Sequence, residues 1–135
     1  MSQITQTPVE TLIVDDSETF RRILGARLER LGCQIVGEAR TAAEGLDFFR
    51  ACKPRLVTLD IVMPGSEQLS VGDLFTSMRK ESPATAIVIL STHPRDANAE
   101  RFLAGGAVAY MEKTFMNFDQ LAVTLKSVFP ELAAP

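Results

Sequence analysis

The sequence contains no long apolar run, no excess of basic residues and few residues that bind soft metals. Its longest purely aliphatic run is about five residues, "AIVIL" at 86–90, against the roughly 20 needed to cross a bilayer. The net charge of −3 argues against nonspecific binding to nucleic acid or to a membrane surface, which requires a basic patch. Residues 1–10 lack the basic and apolar regions of a signal peptide. We therefore expect a cytoplasmic protein.

Cysteine and histidine are almost absent. Cys33 and Cys52 lie far apart and match no metal-binding or redox spacing. We expect both to be reduced, in core or boundary positions of a cytosolic protein. Neither the cysteines nor the single histidine, His93, is placed to favour a zinc site.

What is present suits a single globular domain. The chain has 135 residues, of which 46% are hydrophobic and 23% charged. We expect a domain over residues 10–129, with short tails at 1–9 and 130–135. Within it, short β-branched runs alternate with helical patterns. The predicted strands are 11–16, 34–39, 54–62, 86–91 and 107–113.

The helical patterns follow each strand in turn. The first spans 18–32 and ends at Gly32, with its apolar stripe at Phe20, Ile23, Leu24, Leu28 and Leu31. Thr41 caps the second, 42–52, whose stripe is Leu46, Phe48 and Phe49. Ser70 and Asp73 form a capping box at the start of the third. Pro94 suits the first turn of the fourth, which ends at Gly105, and Asp96 complements its dipole. The fifth spans 117–129.

Five successive βα units predict an α/β fold with a five-stranded parallel sheet and helices on both faces. Helices cover both faces only if the strand order reverses, and ligands bind at the carboxyl ends of the strands beside that reversal. Those ends carry polar residues. They are Asp15, Asp16, Asp60, Ser91 and Lys113.

Asp60 is the most informative of these residues, because it interrupts the apolar run "RLVTLDIVMPG" and a buried unpaired carboxylate is costly. Three carboxylates at one sheet edge repel one another unless a cation intervenes, and Mg²⁺ prefers such oxygen ligands. With Lys113 nearby, such an edge suits a phosphoryl group, which the carboxylate attacks to form an acyl phosphate. Mg²⁺, the lysine and a hydroxyl would stabilise the phosphoryl oxygens.

Each of these residues also has a simpler interpretation. Asp16 and Ser17 are typical of a helix cap. Lys113 is compatible with a solvated strand end, and Ser91 with an ordinary position before a turn. Capping does not explain an acid within a strand, so Asp60 favours the functional interpretation most strongly.

The motifs "LIVDDS", "LDIVMPG", "ILST" and "AGGAVAYMEK" together resemble the receiver domain of two-component response regulators, the CheY-like family. The resemblance covers roughly residues 10–129 and implies the strand order 2-1-3-4-5. It implies that Asp60 is the phosphoacceptor, that Asp16 binds Mg²⁺ directly and that Asp15 acts mainly through water. The backbone carbonyl of Val62 would complete the metal site.

The resemblance also implies a switch. Ser91 would hydrogen-bond the phosphoryl group and Lys113 would pair with it, while Tyr110 would turn inward when Ser91 moves. This would remodel the face formed by the fourth helix, the fifth strand and the fifth helix. A boundary aromatic that does not switch is the alternative for Tyr110.

Three departures from the family pattern surround the site. Thr114 replaces a proline that usually follows the lysine with a cis bond, which predicts either a trans bond with an altered loop or a strained cis bond. The segment after Asp60, "SEQLSVGD", is about three residues longer than usual. Thr92 replaces Ala or Gly beside Ser91, which would narrow access for the phosphodonor. His93 lies where family side chains influence dephosphorylation, or is simply an exposed residue at a helix start.

Three functions are compatible with these patterns. The first is a phosphorylatable switch, either stand-alone or part of a longer regulator, that accepts phosphate from a sensor histidine kinase or histidine phosphotransfer protein and signals to an effector protein. It would catalyse only its own phosphorylation and dephosphorylation. The second is a degenerate receiver that binds partners without phosphorylation. The third is a flavodoxin-like enzyme, which "DDSET" at 15–19 disfavours because acids without glycine repel phosphate.

Overall fold

The computed structural model describes residues 8–63, 69–114 and 116–133. Strands and helices alternate along it, as the sequence predicts. The strands are β1 (Val9–Val14), β2 (Cys33–Ala39), β3 (Leu56–Leu59), β4 (Ala86–Ser91) and β5 (Ala109–Glu112). The helices are α1 (Glu18–Leu31), α2 (Ala42–Cys52), α3 (Val71–Glu81), α4 (Ala97–Ala104) and α5 (Phe118–Val128), followed by a 3-10 helix at Pro130–Ala133.

The five strands form one parallel sheet in the order β2-β1-β3-β4-β5, which confirms the predicted order. The register aligns the carboxyl ends of the central strands, since Val14 pairs with Leu59 and Leu59 pairs with Ile89. Residues that follow β1 and β3 therefore emerge side by side at one edge of the sheet.

Each face of the sheet has its own apolar core, because successive side chains of a strand point to opposite faces. In β1, Ile13 packs with Leu24 and Leu28 of α1 and with residues of α5. Its neighbours Leu12 and Val14 pack on the other face, with residues of α2 and α3. The central strand β3 is buried on both sides, as its continuous apolar character indicates. Every residue of the neighbouring strand β4 is also buried.

Side chains fix where most helices begin. Thr41 accepts a hydrogen bond from the Glu44 N–H, and Ser70 and Asp73 form the predicted capping box. Gly32 ends α1 with φ of 107°, a left-handed conformation that favours glycine. The prediction that Pro94 lies in the first turn of the fourth helix is wrong. Asp96 caps α4 instead, which leaves Pro94 in the preceding loop.

Several strand and stripe boundaries also differ from prediction. β1 ends before Asp15, and β3 ends before Asp60, so both carboxylates follow their strands rather than lying within them. Ile23 and Phe48, assigned to apolar stripes, are 47% and 36% exposed. Periodicity places a residue on one side of a helix, but it does not set how far the sheet extends beneath that side.

The cysteines are free thiols, as expected. Cys33 is buried, and its desolvation raises the pKa of the thiol, against the opposing effect of a hydrogen bond with Thr11. Cys52 is half-buried. Within the described ranges, no helix has the length and apolar character needed to span a membrane.

The end of the chain departs from the expected tail. Pro130–Ala133 forms the 3-10 helix, and Leu132 is buried in the core cluster that α1 and α5 share. A Cβ atom at residue 32 would lie only 3.3 Å from Leu132 Cδ2. Because glycine has no Cβ, Leu132 can pack closely against the backbone of Gly32. Arg55 Nη1 also pairs with Glu131 Oε2 at 2.8 Å. Residues 130–133 thus cover the end of the core that lies opposite the acidic edge.

We predict that Leu132→Ala lowers the free energy of unfolding by about 2–3 kcal/mol, because it leaves a cavity in the core. Val123→Ala is the matched control, since Val123 is 68% exposed on α5 and its truncation should cost within about 0.5 kcal/mol. Urea unfolding followed by circular dichroism measures both. Equal effects would show that the 3-10 helix contributes nothing to the core.

Candidate functional site

The acidic site begins where β1 and β3 end. The Asp15 N–H donates to the Ala39 carbonyl, and the Asp60 N–H donates to the Val14 carbonyl, both at 2.9 Å. These bonds continue the sheet pairing by one residue, so the backbone of each acid is held by its neighbouring strand. Asp15 and Asp60 are 2% and 3% exposed, whereas Asp16 is exposed.

Asp15, Asp16 and Asp60 form a cluster, as the sequence predicted. Each offers a carboxylate oxygen, and these oxygens lie within 4.8 Å of one another. Two backbone amides orient the buried pair: the Ser17 N–H donates to Asp15 Oδ1 at 2.9 Å, and the Val62 N–H donates to Asp60 Oδ1 at 2.8 Å. In both carboxylates, Oδ2 is left to face the centre of the cluster.

Lys113 bridges two of these carboxylates, Asp15 and Asp60. Its Nζ lies 2.5 Å from Asp15 Oδ2 and 3.1 Å from Asp60 Oδ2. The ring centroid of Phe20 lies 4.4 Å from the same nitrogen. The side chain of Lys113 is 10% exposed, which rules out the alternative of a solvated strand end. Its backbone N–H donates to the Ser91 carbonyl at 2.7 Å and so joins the ends of β4 and β5.

The charges of this cluster do not balance. Three carboxylates and one ammonium leave a local charge of −2. Burial raises the pKa of Asp60, and the Asp15 charge adds to this, against the opposing effects of the Val62 N–H and the Lys113 ammonium. A compact set of oxygen donors with this charge fits a divalent cation that prefers oxygen, such as Mg²⁺.

A second polar group lies beside the cluster. Ser91 is fully buried, and its Oγ accepts a hydrogen bond from the His93 N–H at 3.1 Å. The His93 carbonyl accepts a hydrogen bond from the Tyr110 hydroxyl at 2.7 Å. One peptide segment therefore links the predicted switch residues Ser91 and Tyr110. Tyr110 itself is half-buried against the core of the α2 and α3 face.

The remaining predicted residues are exposed. Val62 follows Asp60 by two residues with 39% exposure, and the role of its carbonyl stays a prediction. Thr92, His93 and Thr114 are exposed. The Lys113–Thr114 bond is trans, and the altered loop that was expected to accompany a trans bond stays a prediction. Residues 64–68 lie outside the described residues, and they include the first three residues of the unusually long segment "SEQLSVGD".

Sequence reasoning assigned no role to Arg21. Its guanidinium is buried: Nη1 donates to the Asp15 carbonyl at 2.7 Å, and Nε donates to Glu38 Oε1 at 3.1 Å. Arg21 thus ties the backbone of Asp15 to β2. The helical spacing of the sequence could have indicated that Arg21 is buried, since residue 21 lies on the same face of α1 as Leu24 and Leu28.

Phe20 was predicted only as part of an apolar stripe. Its contact with the Lys113 ammonium joins residues 93 positions apart (113 minus 20). No local pattern encodes such a contact.

Comparison with solved structures supports the same fold. The structure matches a response regulator receiver domain protein from Clostridium thermocellum with a TM-score of 0.79 and 26% identity, over 91% of this chain and 95% of that one. Chemotaxis protein CheY from Thermotoga maritima is 29% identical over 104 residues, which cover 77% of this chain and 84% of CheY.

Other relatives are longer proteins. Transcriptional regulatory protein PdtaR from Mycobacterium tuberculosis is 32% identical over 129 residues, covering 94% of this chain and 61% of PdtaR. A protein-glutamate methylesterase/protein-glutamine glutaminase from Symbiobacterium thermophilum is 38% identical over 116 residues, which cover 84% of this chain but 31% of that protein. The family model described as "Response regulator receiver domain" matches residues 11–126. With this match over most of its length, the chain belongs to the response regulator receiver domain family of two-component signalling.

Proposed function

We propose that this receiver domain is a phosphorylatable switch that accepts a phosphoryl group on Asp60. The observation that carries the proposal is the position of the Asp60 carboxylate, which is buried, oriented by the Val62 N–H and paired with the Lys113 ammonium. A buried strand-end acid with these neighbours is suited to act as a nucleophile toward an anionic group, because fixed positive charge offsets the repulsion between the two. The donor would be a phosphohistidine of a sensor kinase or of a phosphotransfer protein.

In the proposed reaction, a carboxylate oxygen of Asp60 forms a bond to phosphorus while the bond from phosphorus to the donor's nitrogen breaks. The electron pair of that bond stays on the nitrogen. The Lys113 ammonium moves from the Asp60 oxygen, which loses its charge, to an oxygen of the transferred group. Asp15, Asp16, Asp60 and the Val62 carbonyl would hold Mg²⁺, which supplies neutralisation of the phosphoryl charge when it is bound.

The proposed switch uses the hydrogen bonds of the His93 peptide. Ser91 Oγ now accepts the His93 N–H, while the His93 carbonyl holds the Tyr110 hydroxyl. If the Ser91 hydroxyl turns to a phosphoryl oxygen, its bond to the His93 N–H weakens, and the carbonyl that anchors Tyr110 is free to shift. Tyr110 lies on β5, so the change would reach the surface formed by α4, β5 and α5, which we propose contacts an effector protein.

The names of the relatives describe different outputs: chemotaxis, transcriptional regulation and methylesterase activity. The chain spans only 31% of the methylesterase and 61% of PdtaR, so those outputs belong to the longer proteins. For this chain, we propose catalysis only of its own phosphorylation and dephosphorylation. The alternative is an interaction module that works without phosphate, and it predicts a different result in the first experiment below.

We predict that acetyl phosphate labels the wild-type protein in the presence of Mg²⁺, and that Asp60→Asn abolishes labelling because the nucleophile is lost. Asp47→Asn is the matched control, since Asp47 is an exposed acid on α2 and should label normally. Mass spectrometry of the intact protein measures the added phosphoryl group.

Two results would contradict this prediction. Wild type that folds but takes up no phosphate would support the interaction module instead. Labelling of Asp60→Asn at the wild-type rate would show that Asp60 is not the acceptor.

We predict that Asp60→Asn raises the thermal midpoint of the metal-free protein at neutral pH. The raised pKa means that folded Asp60 binds its proton more tightly than the unfolded residue does. Stability therefore falls as pH rises from near the ordinary value of 3.8 through the raised value. The neutral amide removes that penalty, so the midpoints of variant and wild type should converge at low pH.

Mg²⁺ should reverse this order, because in the proposed site it would interact with three carboxylates of the folded wild type, that of Asp15 mainly through water, and with only two of the variant. At a hundredfold excess over the dissociation constant, binding adds about 2.7 kcal/mol to the wild type. Differential scanning fluorimetry with and without Mg²⁺ measures both effects, with Asp47→Asn again as the control. A variant that gains as much from Mg²⁺ as the wild type would exclude Asp60 from the metal site.

The chain has one tyrosine and no tryptophan, so its intrinsic fluorescence above 300 nm reports on Tyr110 alone. We predict that phosphorylation changes this fluorescence in wild type, and that Ser91→Ala takes up phosphate without the change. Ser127→Ala is the control, because its hydroxyl bonds only locally on α5, to the Thr124 carbonyl. An unchanged response in Ser91→Ala would show that the fluorescence change of Tyr110 does not depend on the Ser91 hydroxyl.

A further inference from the structure

We propose that Phe20 is a positioning residue that holds the Lys113 ammonium in place through the face of its ring. This inference rests on the proposed function of Asp60 for its consequence, but its geometry does not depend on that function. The Nζ atom lies 4.4 Å from the ring centroid, within the roughly 6 Å at which a cation is attracted to an aromatic face. Phe20 is therefore a third partner of the ammonium, beside Asp15 and Asp60.

The burial of this contact decides its strength. A cation–π contact is weak at an exposed site and stronger where the cation is desolvated. The Lys113 side chain is 10% exposed, and the two carboxylates that approach its ammonium are each nearly buried. An exposed lysine has water on every side of its ammonium. On one side of the Lys113 ammonium, the ring of Phe20 takes the place of that water.

The position of Phe20 is set by the same turn that orients Asp15. The Ser17 N–H donates to Asp15 Oδ1, and Ser17 Oγ accepts the Phe20 N–H at 3.2 Å. One helix cap thus fixes the backbone of Phe20 relative to the carboxylate that lies closest to Lys113. A shift of the first turn of α1 would move both partners of the ammonium together.

An aromatic partner suits a lysine that must exchange hydrogen bonds. During the proposed transfer, Asp60 loses its charge and the ammonium turns to a phosphoryl oxygen. A ring face attracts the cation without competing for one of its three N–H donors. Phe20 thus restrains the flexible lysine chain while those donors change partners. If position 20 had a side chain without a ring, the Lys113 chain would keep more rotational freedom, and it would lose that freedom at each phosphoryl transfer.

The test uses fluorinated phenylalanines at position 20, which weaken the negative potential of the ring with little change of shape, together with Phe20→Leu. We expect the rate of Mg²⁺-dependent labelling by acetyl phosphate to fall with each added fluorine. The total decrease should be roughly three- to tenfold. The same analogues at Phe118 are the matched control, since that ring lies 4.8 Å from the Arg27 guanidinium. They should leave the labelling rate within about twofold.

Two measurements without metal or phosphodonor test the contact itself. The ε-methylene protons of Lys113 should resonate upfield in wild type, because they lie near the face of the ring, and should return toward ordinary values in Phe20→Leu. Unfolding free energies of Phe20→Leu, Lys113→Met and the double variant should also be non-additive. These two signals test whether the ring lies against Lys113, and the dependence of the labelling rate on fluorination separates an electrostatic role of the ring from packing alone.

Unshifted Lys113 resonances in wild type, or additive unfolding free energies, would overturn the proposal. So would labelling rates that do not change along the fluorinated series while wild type labels. If wild type itself takes up no phosphate, the proposed function fails, and the resonance and unfolding measurements still decide whether Phe20 holds Lys113.

Discussion

The ion pair of Lys113 with Asp15 and Asp60 is the interaction on which the site depends. It connects residues that follow β1, β3 and β5, so the Lys113 side chain reaches past the carboxyl end of β4, which lies between β3 and β5. Backbone bonds to Ala39, Val14 and Ser91 hold the three residues that form it. The sheet thus supplies the rigidity, and the charged residues need no long loop to bring them together.

This ion pair only partly satisfies the charge around it. The raised pKa of Asp60 shows that one ammonium and one amide do not offset the desolvation of the carboxylate. Arg21 adds positive charge nearby, but it binds the Asp15 carbonyl and Glu38 rather than the clustered carboxylates. The excess negative charge therefore remains concentrated on the side of the exposed Asp16, where an ion or ligand can reach it from solvent.

The sequence was sufficient to predict the parallel sheet and the acidic cluster, because both follow from local signals repeated along the chain. Apolar runs marked the strands, and polar residues at their ends marked a common edge. The strand order came from the family resemblance. Contacts between distant residues were missed, including Phe20 with Lys113 and Leu132 with the core. Pro94 was misplaced because a proline suits a loop before a helix as well as its first turn.

The link between Ser91 and Tyr110 runs through the backbone of His93 rather than through its side chain. Any residue except proline supplies the same N–H and carbonyl. The exposed side chain at this position can therefore vary without breaking the connection to β5. In the proposed switch, position 93 would therefore carry a change at Ser91 to β5 through its backbone, whichever side chain it has.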